Sequence, residues 1–196
     1  MLEAIETCQA MRYLRPEPVP EDLILRVVRA ATCASSPGNS QGWDFVVVRE
    51  APQRARIAET IRSAVLPILP PLPEGGDPVR RRMLAGAHHL LAHLEEVPVW
   101  IFVCGAPVYP PGAPSADWIP ATLYPAAQNL IVAARALGLG TVFTAYHTLA
   151  EKKLRELLRL PPSVRIGVTI PMGWPARAFS AVKRRPVNDV LHWERF

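Results

Sequence analysis

Two proline clusters limit what this chain can become. LPILPPLPEGGDP, from Leu66 to Pro78, and the stretch from Gly105 to Pro120 hold many of its 22 prolines. Each proline fixes φ and removes an amide donor, so neither stretch can be a helix interior or a central strand. Both read as loops, and regular structure has to occupy the segments between them.

Those segments carry clear periodicities. Pro20 to Ala31 begins with Pro, Glu21 and Asp22 and continues with Leu23, Val27, Val28 and Ala31 at helical spacing, an amphipathic helix. Trp43 to Val48 is β-branched and aromatic and reads as a buried strand, with a helix following from Gln53 to Val65. Asp77 and Pro78 open a helix whose predicted apolar stripe is Met83, Ala87, Leu90, Leu91 and Leu94, and Val99 to Cys104 is the next strand. Ala121 to Leu137 is a strongly apolar helix stopped by Gly138, followed by a short strand from Leu139 to Thr144. Thr148 and Glu151 have capping-box spacing for a helix containing Leu154, Leu157 and Leu158. Val164, Ile166, Val168, Ile170 and Met172 alternate, which predicts a strand with one apolar face. Helices interspersed with about four strands give a mixed α/β or α+β sandwich rather than strict β-α alternation. Pro175 to Phe196 has no periodicity, yet its Phe179, Trp193 and Phe196 need a surface to pack on.

With 196 residues and no interior linker or repeat, the chain is expected to form one domain. Its net charge of +5 is spread out, and the runs Arg80 to Arg82 and Lys183 to Arg185 lack the interleaved aromatics or helix-turn-helix signature of a nucleic-acid binder. A local anion such as a phosphate group is the better use for the second run. Cys8, Cys33 and Cys104 are odd in number and widely spaced, which fits a reducing compartment and implies neither disulfides nor zinc. No apolar run reaches the roughly 18 residues of a membrane span, so a soluble, cytoplasmic protein is expected, with neither membrane nor nucleic-acid partners.

Most catalytic signatures are missing: there is no G-x-S-x-G, no Walker loop, and LGLG at Leu137 to Gly140 is not G-x-G-x-x-G. His89 and His93 lie one helical turn apart, as two zinc ligands on a helix would. They lack the accompanying glutamate and an obvious third ligand, so with His88 they read as a polar helix face. No metal is assigned.

Five segments in order carry more information. They are CQAMRYLRPEPVP from Cys8, ASSPGNSQGWDFVVV from Ala34, LYPAAQNLIVAARALGLGT from Leu123, IPMGWP from Ile170 and VKRRPVNDVLHW from Val182. Together they resemble the nitroreductase family of flavoproteins, in particular the branch with C-R-A-M-R-Y, A-P-S-x-x-N-x-Q-x-W and Y-P-A-x-Q-N-L segments. Each segment alone is weak, but the ordered set spans nearly the whole chain.

The resemblance implies an α/β sandwich with a central, mostly antiparallel sheet flanked by helices, in an intertwined homodimer whose tail, 175–196, packs on the partner. It implies FMN as cofactor, NADH or NADPH as co-substrate, and hydride transfer in two steps to a small oxidised acceptor such as a nitroaromatic or quinone. The segment with Gln9, Ala10 and Arg12, together with Arg184, would grip the phosphate and ribityl chain; the permanent cations Arg12 and Arg184 suit that task. Ser35, Ser36, Pro37, Asn39 and Gln41 would approach the flavin, and Thr144, Ala145 and Tyr146 would offer backbone amides near N5 and O4. No catalytic acid or base is implied. Gln9 departs from the family's arginine and Ala10 from a common serine, which implies a looser hold on FMN. That departure also supports a competing reading, a flavin-binding dimer without redox turnover; a family member that modifies one specific small molecule is a further alternative.

Overall fold

The computed structural model describes residues 2–196. Its elements in chain order are α1 (Leu2–Glu6), β1 (Leu14–Arg15), α2 (Glu21–Ala31), β2 (Trp43–Val48), α3 (Ala51–Val65), α4 (Pro78–Ala92), β3 (Val99–Gly105), α5 (Ile119–Ala136), β4 (Gly140–Thr141), α6 (His147–Leu158) and β5 (Arg165–Pro175). The sheet runs β1-β5-β3-β2 with β4 also paired to β5, and every pairing is antiparallel.

The organising element is β3. Every one of its residues is buried, because its sequence VWIFVCG is apolar on both faces and both edges are paired. Val99, Ile101 and Val103 pack with Ile24 and Val27 of α2 and Leu123, Ala127 and Leu130 of α5. Trp100, Phe102 and Cys104 face the other way, onto Ile57 and Ile61 of α3, Leu90 and Leu91 of α4 and Leu154 of α6. Each large side chain so buried contributes roughly 1.5–3 kcal/mol relative to exposure. The expected sandwich of a central antiparallel sheet between helices is present.

Trp43–Val48, read as a buried strand, is the edge strand β2, and only its Val48 is buried. Four further departures bear on the packing. The alternation from Val164 to Met172 does not give one apolar face. Val103 pairs with Val168 but Cys104 with Ile166, so Gly167 is bulged. The bulge moves Val164 and Ile166 to one layer while Val168, Ile170 and Met172 stay in the other. A Cβ at Gly167 would stand 2.5 Å from Leu123 Cδ1 and 3.2 Å from its Cβ, so a side chain there would displace the buried Leu123.

Second, Thr148 is not a cap. It lies inside α6, whose N-cap is Tyr146, and its hydroxyl donates to the Ala145 carbonyl at 2.9 Å. Third, Met83 is 47% exposed, and Leu84 occupies the buried side of α4 in its place. Fourth, α5 starts inside the second proline loop, at Ile119, because Pro120 fits a first helical turn. Gly138, with φ +81°, follows its C-terminus as expected. No helix among the described residues is long and apolar enough to cross a membrane.

From Ala176 onward the chain has no strand or long helix and lies along α1 and α5. Phe179 sits under the Arg135 guanidinium at 4.1 Å, but Trp193 is 76% exposed and Phe196 is fully so.

Candidate functional site

A cleft of about 540 Å³ opens where the two ends of the chain meet. Ile5, Glu6, Cys8, Gln9 and Ala10 form its N-terminal wall, Gln128 and Ile131 of α5 its floor, Thr141 and Phe143 one edge, and Val182 and Arg184 of the tail the other. The wall is fixed by the Met11 amide, which donates to the Thr141 carbonyl at 2.9 Å. The tail is fixed by the Val182 amide, which donates to the Glu6 carbonyl at 2.8 Å.

Gln9, Ala10 and Arg184 therefore lie on one cleft, whereas Arg12, grouped with them in the sequence reading, is not among the residues that line it. The Gln9 side chain does not point freely into the cleft. Its Nε2 donates to the Ala178 carbonyl at 3.2 Å, and its Oε1 accepts from Ser180 Oγ at 2.9 Å. Arg184 remains the guanidinium on the cleft wall, and it donates to the neighbouring Lys183 carbonyl at 3.0 Å. Cys8 shares the wall; burial raises its thiol pKa, against the opposing pull of Arg135 and Arg184.

Beyond Phe143 the cleft edge leads to Thr144, Ala145 and Tyr146. Thr144 is committed to the sheet: its amide donates to the Thr169 carbonyl at 3.1 Å and its hydroxyl to the same carbonyl at 2.8 Å. Among the described residues, the amides of Ala145 and Tyr146 donate to no protein group. They stand at the N-terminal end of α6, where unpaired N–H groups and the helix dipole favour an electron-rich ligand. Arg12 is half-buried against Gly86 of α4 and electrostatically close to Tyr146, whose hydroxyl burial pushes up and Arg12 pulls back down.

Ser35 to Gln41 is elsewhere. This segment folds as a tight turn with positive φ at Gly38, Asn39 and Gln41, and the Gln41 amide donates to Ser36 Oγ at 3.0 Å. Positive φ at Gln41 stores strain that a loop under no constraint would release. A Cβ on Gly38 would stand 2.6 Å from Tyr109 Cε2, so the turn is pressed on the second proline loop. Ser40 Oγ is buried there without a partner. The turn leads into Trp43, opposite Gly105 at one end of β3, whereas Thr141 pairs with Met172, opposite Val99 at the other. The ends of a strand of this length are roughly 20 Å apart. A single copy of the chain thus keeps Ser35, Ser36, Pro37, Asn39 and Gln41 away from Gln9 and Arg184.

Sequence reasoning missed Gln128, Ile131 and Phe143, which line the cleft, and Gly86, which seats Arg12. Gln128 had a signal, a polar side chain beside Asn129 in the middle of a mostly apolar helix; Gly86 had none short of three dimensions.

The profile of the nitroreductase family matches residues 6–174. The chain belongs to the nitroreductase family. It is 29% identical over 180 residues to a protein of Methanothermobacter thermautotrophicus provisionally named an NADH dehydrogenase/NAD(P)H nitroreductase, covering 90% of this chain and 78% of that protein. Among solved structures it resembles iodotyrosine deiodinase bound to FMN and 3-iodo-L-tyrosine, with a TM-score of 0.78 and 18% identity over 100% of this chain and 99% of that one. It also resembles the NADPH:FMN oxidoreductase of Vibrio harveyi complexed with NAD+, with a TM-score of 0.75 and 19% identity over 100% of this chain and 77% of that one. At these identities the two structures establish the nitroreductase fold.

The donor set of the cleft fits a phosphorylated flavin. The Arg184 guanidinium suits a phosphate and the Gln128 amide a polyol, the apolar walls suit an aromatic ring, and two unused backbone amides lie beyond the edge.

Proposed function

We propose that this protein is an FMN-dependent oxidoreductase that takes hydride from NADH or NADPH and reduces a small oxidised acceptor, a nitroaromatic, quinone or related molecule. The observation that carries this reading is the cleft in which Gln9, Ala10 and Arg184 meet, with the unused Ala145 and Tyr146 amides beyond its edge. When bound, FMN supplies the hydride-transfer chemistry. The protein's part is to bind and orient.

In this reading Arg184 holds the phosphate and Arg12, seated on Gly86, a position nearer the ring. The Ala145 and Tyr146 amides take the polar edge of the ring, aided by the α6 dipole. Thr144 and its bonds to Thr169 hold that loop in place, so these donors need no reorganisation during the reaction.

Ser35, Ser36, Pro37, Asn39 and Gln41 complete the site from a second copy, because they lie at the far end of the sheet in their own chain. This makes the working unit a homodimer with the flavin at the interface and with the exposed Val187, Leu191, Trp193 and Phe196 of the tail covered by the partner. The cytoplasm, where NADH and NADPH are available, is the expected compartment.

Anaerobic mixing of the FMN-loaded protein with NADH and with NADPH tests the reading. Loss of the visible flavin absorbance with at least one of them is the expected result. A flavin that binds stoichiometrically but is bleached by neither would favour a binding protein without turnover.

A further inference from the structure

The tail that delivers Arg184 has no strand or long helix to hold it between Ala176 and Pro186, so its course depends on a few anchors. Arg135 covers Phe179, and the Val182 amide donates to the Glu6 carbonyl. Between those anchors stands Gln9, whose amide group is used by the tail in both directions. It donates to the Ala178 carbonyl at 3.2 Å and accepts from Ser180 Oγ at 2.9 Å. A carboxamide can do this because it carries a donor and an acceptor; a guanidinium has no acceptor to offer Ser180.

We propose that Gln9 is a positioning residue that clasps Ala178 and Ser180 and so holds Arg184 at the cleft, acting on anion binding through Arg184 and not by touching the ligand. This rests on the reading that the cleft takes the FMN phosphate. Gln9 thus serves the tail, and the tail brings the cation.

A double-mutant cycle separates positioning from direct contact. FMN is titrated into the full-length apo-protein by fluorescence quenching for wild type, Gln9→Ala, Arg184→Ala and the double variant, with circular dichroism to confirm folding. Ser180→Ala, an exposed change that removes one arm of the clasp, is measured alongside. The expected result is about fivefold weaker binding for Gln9→Ala and a smaller loss for Ser180→Ala. In the Arg184→Ala background, Gln9→Ala should then cost less than about twofold. Equal losses from Gln9→Ala in both backgrounds would overturn the proposal while leaving the cleft reading intact. An Arg184→Ala variant that binds FMN as wild type does would overturn both.

Discussion

Gly86 makes room for Arg12: a Cβ on this helical glycine would stand 3.0 Å from Arg12 Cδ and 3.5 Å from its Cβ. The missing side chain on α4 thus sets where the guanidinium can lie. Gly86→Ala should displace Arg12 and weaken FMN binding, while the alanine gains roughly 0.5–1 kcal/mol of helix propensity over glycine. FMN affinity is therefore expected to fall with little change in melting temperature. Unchanged affinity would show that Arg12 has no part in holding the cofactor.

Arg12→Ala and Arg184→Ala should each weaken FMN binding roughly tenfold or more, since a hydrogen bond to a charged group contributes about 1.5–3 kcal/mol. Neither should unfold the protein, because Arg12 is only half-buried and Arg184 is exposed. Titration of the two apo variants with FMN checks this; wild-type affinity in Arg184→Ala would remove the phosphate assignment, and wild-type affinity in Arg12→Ala would remove Arg12 from the site.

How much was legible in advance depended on whether the information was local. The run from Val99 was readable because apolar residues on both faces fit a strand paired on both edges, whereas Trp43–Val48 was readable as a strand but not as the edge, with Asp44 exposed and only Val48 buried. Thr148 misled because capping-box spacing says nothing of where the preceding chain turns; Thr144 is pinned to Thr169, which starts α6 earlier. The bulge at Gly167 was invisible because alternation in sequence continues straight through a slip in pairing. At the site, Gln9 and Arg184 were named, but their relation depends on where an aperiodic tail lies. The separation of Ser35 to Gln41 from them follows from sheet order, which only the folded chain reveals.

Acid should destabilise the protein beginning near pH 6.5. His147 is buried, and the Thr169 hydroxyl lies 3.2 Å from its Nδ1. Burial lowers its pKa from the ordinary 6.5, with Glu151 opposing. His89, between Tyr13 and His93, is lowered in the same way by burial and then by His93 and Arg177, with Glu96 opposing. With the folded pKa below the unfolded one, the unfolded chain binds more protons in between, so stability is complete above about 6.5 and falls as pH decreases through the folded values. Melting temperatures between pH 7.5 and 5 should show this decline, and His147→Gln should flatten it. Parallel curves for wild type and variant would exclude His147 as a source.

Ending the chain after Pro175 should cost both assembly and cofactor. It removes Arg184 and the partners of Gln9, and it removes the apolar groups of the tail that lie exposed in one copy. Light scattering is expected to report a monomer without FMN. A truncated protein that stays dimeric and keeps its flavin would show the tail to be dispensable.

The most direct test of the central reading is the visible absorbance of the purified full-length protein after saturation with FMN and removal of free cofactor. The account predicts the bands of oxidised flavin at one FMN per chain, carried by dimers. Protein that emerges colourless, with no FMN retained, would contradict it.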